Sequence, residues 1–497
     1  MEVRVDWRTS VGEVGTVLKW LVVPLLAPLV LAVFDGTPVA PFLLPLVLTG
    51  ASGLALERLR AGGDIGRREA FLMVSLAWLV VALVGAVPFV VAGEGAVAHP
   101  VNALFESMSG VTTTGATVLL DFSVHSRAIL LWRQILQWLG GLGILVLATA
   151  VLARLGVNGA QLMEGESQLQ DVRRLTPHIR ETARLLWLLY IALTALNVAV
   201  LYGLHVVGLA PVMTPFDAVA HALTTVSTAG FSPRPESLGA FSGAVQWATT
   251  LFMIVGATSF VLLYEVLGGE VEALWRSDEF HFYLVLLGVF TVGVTGSLVV
   301  GGLFATTPET LRHAAFQVAS IVTTTGYASV DYNTWPPLAR HLLFACLFLG
   351  GMAGSTTCSI KVVRWLVVLK GFRRDLFRSI RPELVRPVRL NGDVVDEETL
   401  ADVYGYTLVS LLFFAFTAAL VAADAARVGL ALSEFEAMSI AAATFFNVGP
   451  AFGIAGPYGT YEGLPATTKA ALTVLMWVGR IEIVPVLVLL TPSYWTS

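Results

Sequence analysis

A chain of 497 residues, 56% hydrophobic and 13% charged, with a mean hydropathy of +0.78, lies outside the range of soluble domains. Its net charge of -5 is segregated along the chain rather than spread over it. Cys346 and Cys358 are its only cysteines and its eight histidines form no HExxH pair, which excludes a disulfide framework, a thiolate metal site and a zincin site.

A helix needs about 20 mainly apolar residues to cross the hydrocarbon core. Windows of that length predict ten spans, near 17–34, 39–59, 70–92, 128–152, 183–207, 243–267, 281–303, 339–369, 403–423 and 468–490. The first contains Pro24 and Pro28 after Lys19. No small-residue cleavage site precedes the next apolar run at Pro41, so a retained helix is expected. After the tenth span a stub of a few residues is expected, with no soluble domain attached.

Spans three to ten form pairs, and each pair encloses an amphipathic segment too short to cross: 101–112, 215–226, 309–322 and 434–444. A short polar stretch ending in glycine follows each one. These are Thr113-Thr114-Gly115, Thr228-Ala229-Gly230, Thr324-Thr325-Gly326 and Asn447-Val448-Gly449. A short helix that turns back inside the membrane is tolerated only where it is buried in protein or lines water. Its C-terminal carbonyls would turn a partial negative charge toward a cation.

The recurring order of parts predicts an all-α polytopic membrane protein built as an N-terminal helix pair (1–60) and four M1-P-M2 repeats around a pseudo-fourfold pore (61–153, 154–270, 271–390 and 391–497). Four related loops in one chain suit a four-sided ion filter, in which rings of backbone carbonyls replace an ion's hydration shell. None of the four motifs contains Asp or Glu, which argues against a filter for Ca²⁺ or Mg²⁺. Glu106, Asp217, Asp331, Glu434 and Glu436 lie nearby, with two readings open: caps on the short helices, or a vestibule that concentrates cations. Gly140-Gly141-Leu142-Gly143 and Gly268-Gly269 are assigned to helix packing.

Lys and Arg crowd the loops on the N-terminal side, at Arg58, Arg60, Arg67 and Arg68, at Arg154, Arg173, Arg174, Arg180 and Arg184, at Arg276, and from Lys361 to Arg389. The other side has Arg127, Arg133, Arg234, Arg312, Arg340, Arg427 and Lys469. The bias predicts cytoplasmic termini.

Phe105-Glu106-Ser107-Met108-Ser109-Gly110-Val111-Thr112-Thr113-Thr114-Gly115, His221-Ala222-Leu223-Thr224-Thr225-Val226-Ser227-Thr228-Ala229-Gly230-Phe231-Ser232, Thr323-Thr324-Thr325-Gly326-Tyr327 and Asn447-Val448-Gly449-Pro450, each in its topological slot, resemble the Trk/Ktr/HKT cation transporters. The bacterial TrkH-type branch is the most similar, and the resemblance covers nearly the whole chain. It implies potassium (or Rb⁺) uptake across a bacterial or archaeal plasma membrane. The twelve motif residues would hold the ion, and no organic cofactor or nucleic acid is involved. In related plant transporters a serine at the first filter glycine accompanies Na⁺ preference. Gly115 is retained here, which leans toward K⁺, with a Na⁺-conducting or weakly selective protein as the alternative. An intramembrane enzyme would need facing catalytic groups that the scattered His and Cys do not offer.

In the eighth span, Gly350-Gly351-Met352-Ala353-Gly354-Ser355-Thr356-Thr357-Cys358-Ser359 has poor helix propensity. The resemblance implies a gating loop beneath the filter, against the alternative of a kinked helix. Cys358-Ser359 departs from the family's usual glycines. Arg480, in Gly479-Arg480-Ile481-Glu482, costs roughly 2.5–3.5 kcal/mol at the centre of a span and must find protein or water. It is expected to face the ion path or the loop, where it would repel a passing cation, or else to clamp helix carbonyls. The charged stretches 154–184 and 361–402 suit anionic lipid headgroups. The resemblance adds peripheral TrkA-type nucleotide-binding (RCK) subunits docking there, and a homodimer.

Overall fold

The computed structural model describes residues 5–60, 66–147, 179–383 and 386–496. The end of the fourth predicted span and the basic residues Arg154, Arg173 and Arg174 lie outside the described residues.

Helices Trp7–Asp35 and Ala40–Glu57 form a hairpin in which Gly15 and Gly53 face each other's backbone, the close approach that small residues permit between membrane helices. Lys19 and Glu57 close it with an ion pair of 2.7 Å. A long helix, a short buried helix and a third helix of 10–21 residues then follow one another four times. The sets are Arg67–Ala92, Pro100–Val111 and Arg127–Leu147; Ile179–Val206, Pro215–Val226 and Gly243–Gly256; Asp278–Gly301, Thr307–Val322 and Pro337–Cys346; and Glu397–Val428, Glu434–Phe445 and Ala466–Arg480. At 1.5 Å per residue a 12-residue helix reaches about 18 Å, half of a bilayer. The short helices are nearly all buried toward their C-terminal ends.

Their starts follow from local chemistry. Thr214 and Asp217, and Ser433 and Glu436, form reciprocal capping boxes, and prolines stand in the first turns of the other two.

Among the described residues seven helices are long and apolar enough to cross a membrane, or up to eight if Gly243–Gly256 and Phe260–Leu267, bent by 102° at their break, count as one span. The chain is a multi-pass membrane protein. Two further predicted spans are not continuous helices. The 339–369 span divides into Pro337–Cys346 and Val362–Ile380 around a non-helical stretch, and the 468–490 span breaks after Arg480, where Glu482 and Ile483 take φ of 62° and 59° before Val484–Leu489. Gly268 caps the helix Phe260–Leu267 and Gly269 takes φ 100°, so this pair ends a helix and is not a packing contact.

The expectation of an all-α chain missed one hairpin. Val388–Leu390 pairs with Asp393–Val395, and Asn391-Gly392 between them takes φ of 51° and 95°, the two-residue turn that an Asn-Gly pair favours. Asn391 exchanges hydrogen bonds with Asp278 (2.7 and 3.1 Å), tying the hairpin to the helix Asp278–Gly301.

Candidate ion-conduction site

All four short helices end in the same way. The residue after the C-cap turns left-handed, at Thr113 (φ 54°), Thr228 (49°), Thr324 (53°) and Asn447 (54°), and the motif glycine two residues on does so again, with φ between 77° and 100°. Thr114, Ala229, Thr325 and Val448 return their N–H groups to the carbonyls of Ser109, Thr224, Ser320 and Ala443 (2.8–2.9 Å). This is the Schellman arrangement. Threonine is β-branched and poorly suited to positive φ, a strain of about 1–3 kcal/mol that persists where the surroundings demand it.

With the N–H groups turned back, the carbonyls are left over. Ala229 O accepts from Gln137 Nε2 and Gly449 O from the Tyr461 hydroxyl, both at 2.6 Å. The other motif carbonyls accept no hydrogen bond among the described residues. Thr113 Oγ1 and Asn447 Oδ1 are also buried oxygens without a partner. Buried polar groups are rarely left so.

The motifs meet in a closed cycle. A Cβ added to Gly115 would strike Ala229 O; on Gly230, Thr325 O; on Gly326, Val448 O; and on Gly449, Thr114 O. Each quarter therefore touches the next, and the fourth returns to the first. Glycine is needed at these positions for space as well as for φ. Gly115, Gly230 and Gly326 also line one cleft together with Phe122, Phe231 and Tyr458.

Beneath the ring lies the non-helical stretch 350–359. Thr356 Oγ1 meets Thr228 Oγ1 (3.0 Å) and donates to the carbonyls of Val226 and Gly256. Cys358 N donates to Thr324 Oγ1 (3.1 Å). Gly350, Gly351 and Gly354 lie in the same stretch, where Gly350 N donates to Ile360 O and Gly354 O accepts from Phe260 N. Ser355 and Thr357 pair their hydroxyls at 2.7 Å, and Ser359 bonds Leu347 O. Arg480, 1% exposed, donates to Thr356 O (3.1 Å), Cys358 Sγ and Gly140 O (2.9 Å). It thus reaches the loop and clamps a helix carbonyl together. Glu482 turns away and pairs with Arg364 at 2.6 Å.

The sequence matches the family of TrkH cation transport proteins over residues 49–496. The chain belongs to the TrkH family. It is 37% identical to the Trk system potassium uptake protein TrkH of Halomonas elongata, over 96% of this chain and 95% of that protein. It is 33% identical to TrkH of Escherichia coli K12, over 94% and 97%. The crystal structure of the potassium transporter TrkH from Vibrio parahaemolyticus superimposes with a TM-score of 0.88 at 30% identity, covering 99% of this chain and 100% of that one. TrkH proteins are transporters rather than enzymes.

Within this TrkH-family fold several charges stand where sequence reasoning did not put them. Glu106 is fully buried, so it neither caps a helix nor lines a wet vestibule. It accepts from Thr117 Oγ1, Val118 N and Arg133 Nε, and Arg133 continues to Ser232 O. Arg133 is therefore an internal brace and not a loop charge. Asp217, Glu436 and Asp331 do cap, at Thr214, Ser433 and the turn Tyr332–Thr334. Lys361 and Arg364, counted among the loop cations, are 8% and 2% exposed, with Arg364 stacked on Tyr406. Gln137 and Tyr461 were missed altogether, since one glutamine or tyrosine in a span or loop carries no pattern.

Proposed function

We propose that this chain takes up potassium ions across the plasma membrane of a bacterium or archaeon, the ion passing through the ring of Thr113, Thr114, Gly115, Thr228, Ala229, Gly230, Thr324, Thr325, Gly326, Asn447, Val448 and Gly449. One observation carries the reading: four motifs close a cycle whose buried carbonyl oxygens mostly lack donors. A weakly hydrated monovalent cation satisfies such oxygens without a full countercharge that would trap it. The printed names of the relatives, potassium uptake proteins, point to the same cargo.

The stretch 350–359 acts as the gate, because it lies on the second and third motifs and is fastened by Arg480. The quarters 61–153, 154–270, 271–390 and 391–497 each contribute one motif, with the pair 1–60 in front. The termini and the basic loops are cytoplasmic. Two copies assemble with one pore each, and a ring of nucleotide-binding subunits docks on the cytoplasmic face. Rb⁺ uptake into liposomes holding the purified protein, with K⁺ and Na⁺ as competitors, tests the reading. Competition by K⁺ well ahead of Na⁺ is expected. Equal competition favours a weakly selective cation channel, and no uptake overturns the proposal.

A further inference from the structure

Two kinds of fastening alternate around the ring, beside the amide of Asn447, which donates to Thr114 Oγ1 and Met476 O. In the first and third motifs the hydroxyls of Thr112 and Thr114, and of Thr323 and Thr325, pair at 2.7 Å, so each loop is latched from within. The second and fourth motifs have Ala229 and Val448 where those loops have Thr114 and Thr325, and no such latch is possible. These are the two motifs with a carbonyl held from outside, by Gln137 and by Tyr461.

The hold on the second motif is bidentate. Gln137 Nε2 donates to Ala229 O at 2.6 Å, and Gln137 Oε1 accepts from Phe231 N at 2.9 Å, so one planar amide spans the backbone on both sides of Gly230. Arg133 and Gly141, one turn to either side on the same helix, meet Ser232 O and Ser227. The position is not demanded by packing. Gly140, Gly256 and Gly479 sit equivalently, each against the carbonyl two residues before a left-handed turn (Val111, Val226 and Phe445). Three residues before these glycines stand Gln137, Met253 and Met476, all buried. A methionine fills this slot in two quarters, and the glutamine occurs where the adjoining motif lacks its latch.

We infer that Gln137 is a positioning residue for ion selection, which sets the angle of the Ala229 carbonyl in place of the missing threonine latch. The inference rests on the potassium reading of the ring. A carbonyl has two lone pairs, so the amide occupies one and leaves the other for an ion. Without the amide, Ala229 O relaxes about the Gly230 hinge and its quarter no longer matches the other three.

The test is Rb⁺ uptake into liposomes with K⁺ and Na⁺ competition, comparing the full chain with Gln137→Met and Gln246→Met. Gln246 is a control of the same chemistry, a buried glutamine that donates to Leu238 O and Phe241 O outside the ring. Gln137→Met is expected to lower the preference for K⁺ over Na⁺ by about tenfold, the scale of one lost hydrogen bond. Gln246→Met leaves it unchanged. An unchanged preference in Gln137→Met, or an equal fall in both variants, overturns the inference. Should Gln137→Met fail to fold, Gln137→Leu decides, since it is apolar and close in size and loses both the donor for Ala229 O and the acceptor for Phe231 N. The same fall supports the inference, and an unchanged ratio overturns it. Failure of the potassium reading is distinguishable, because the unsubstituted protein would then take up no Rb⁺.

Discussion

The ring of four motifs and the layer just beneath it treat the same fourfold plan in opposite ways. In the ring, all four motifs, from the two Thr-Thr-Gly sequences to Asn447-Val448-Gly449, adopt one backbone path, with matching left-handed residues and matching returns of the N–H groups. In the layer below, the quarters diverge. The first continues as helix past Gly140 to Leu147, the second bends by 102° after Gly256, the third opens into the stretch 350–359, and the fourth breaks beyond Arg480. On the proposed reading an ion on the axis needs equivalent oxygens on every side, which suits a single backbone path in all four motifs. A gate, on the same reading, needs a single part that moves, which suits quarters that differ below the ring.

The largest effect should come from breaking the ring's equivalence. Gly230→Ala places a methyl group on Thr325 O at a residue whose φ is 77°. Uptake of Rb⁺ should fall by roughly a hundredfold or more, given the several kcal/mol that strain and overpacking cost together. Gly203→Ala, on the helix Ile179–Val206 with nothing within 4 Å of the added carbon, should leave uptake as it was. Equal tolerance of both substitutions would mean that the ring does not carry the ion.

Breaking the layer should act in the other direction. Arg480→Ala removes the donors to Thr356 O and Cys358 Sγ and with them the positive charge below the ring. Hydrogen bonds from a charged group are each worth about 1.5–3 kcal/mol, so uptake should rise by about tenfold with the K⁺/Na⁺ ratio unchanged. Reduced uptake by a properly inserted variant would show Arg480 to be a structural clamp only.

The same contrast explains what was legible from the amino acids alone. Spans and short helices were legible because hydropathy and length are local properties, and the motifs because a left-handed turn asks for glycine and small polar residues. The break in the 339–369 span was legible too, in the poor helix propensity of Gly350 to Ser359, but the breaks at Ala257 and Ile481 were not. Long apolar runs such as 243–267 and 468–490 read as one helix, and what interrupts them is a contact from another quarter, such as Met352 N on Ala257 O or Arg364 on Glu482. Arg133 and Glu106 were misplaced for a related reason. Arg133 alone reads as a loop charge and Glu106 as a cap or a vestibule charge, and only their 2.7 Å pairing across two helices compensates their burial. Positive φ at Glu482 and Ile483 had no signal, since neither residue favours it.

The smallest expected effect lies where the two regions touch. Thr356→Val keeps the shape of the side chain and removes the hydroxyl that meets Thr228 Oγ1 and donates to Val226 O and Gly256 O. These are neutral hydrogen bonds, worth about 0.5–1.5 kcal/mol each in net terms, and water replaces part of the loss when the loop swings away. Rb⁺ uptake should rise by about threefold to fivefold. Its competition by K⁺ and Na⁺ should not change, because Thr228 keeps its own bond to Ser227 O and its backbone path. A changed K⁺/Na⁺ ratio in this variant would place Thr356 inside the selecting ring. The boundary between the symmetric and asymmetric regions would then lie one layer lower, between the loop and Arg480.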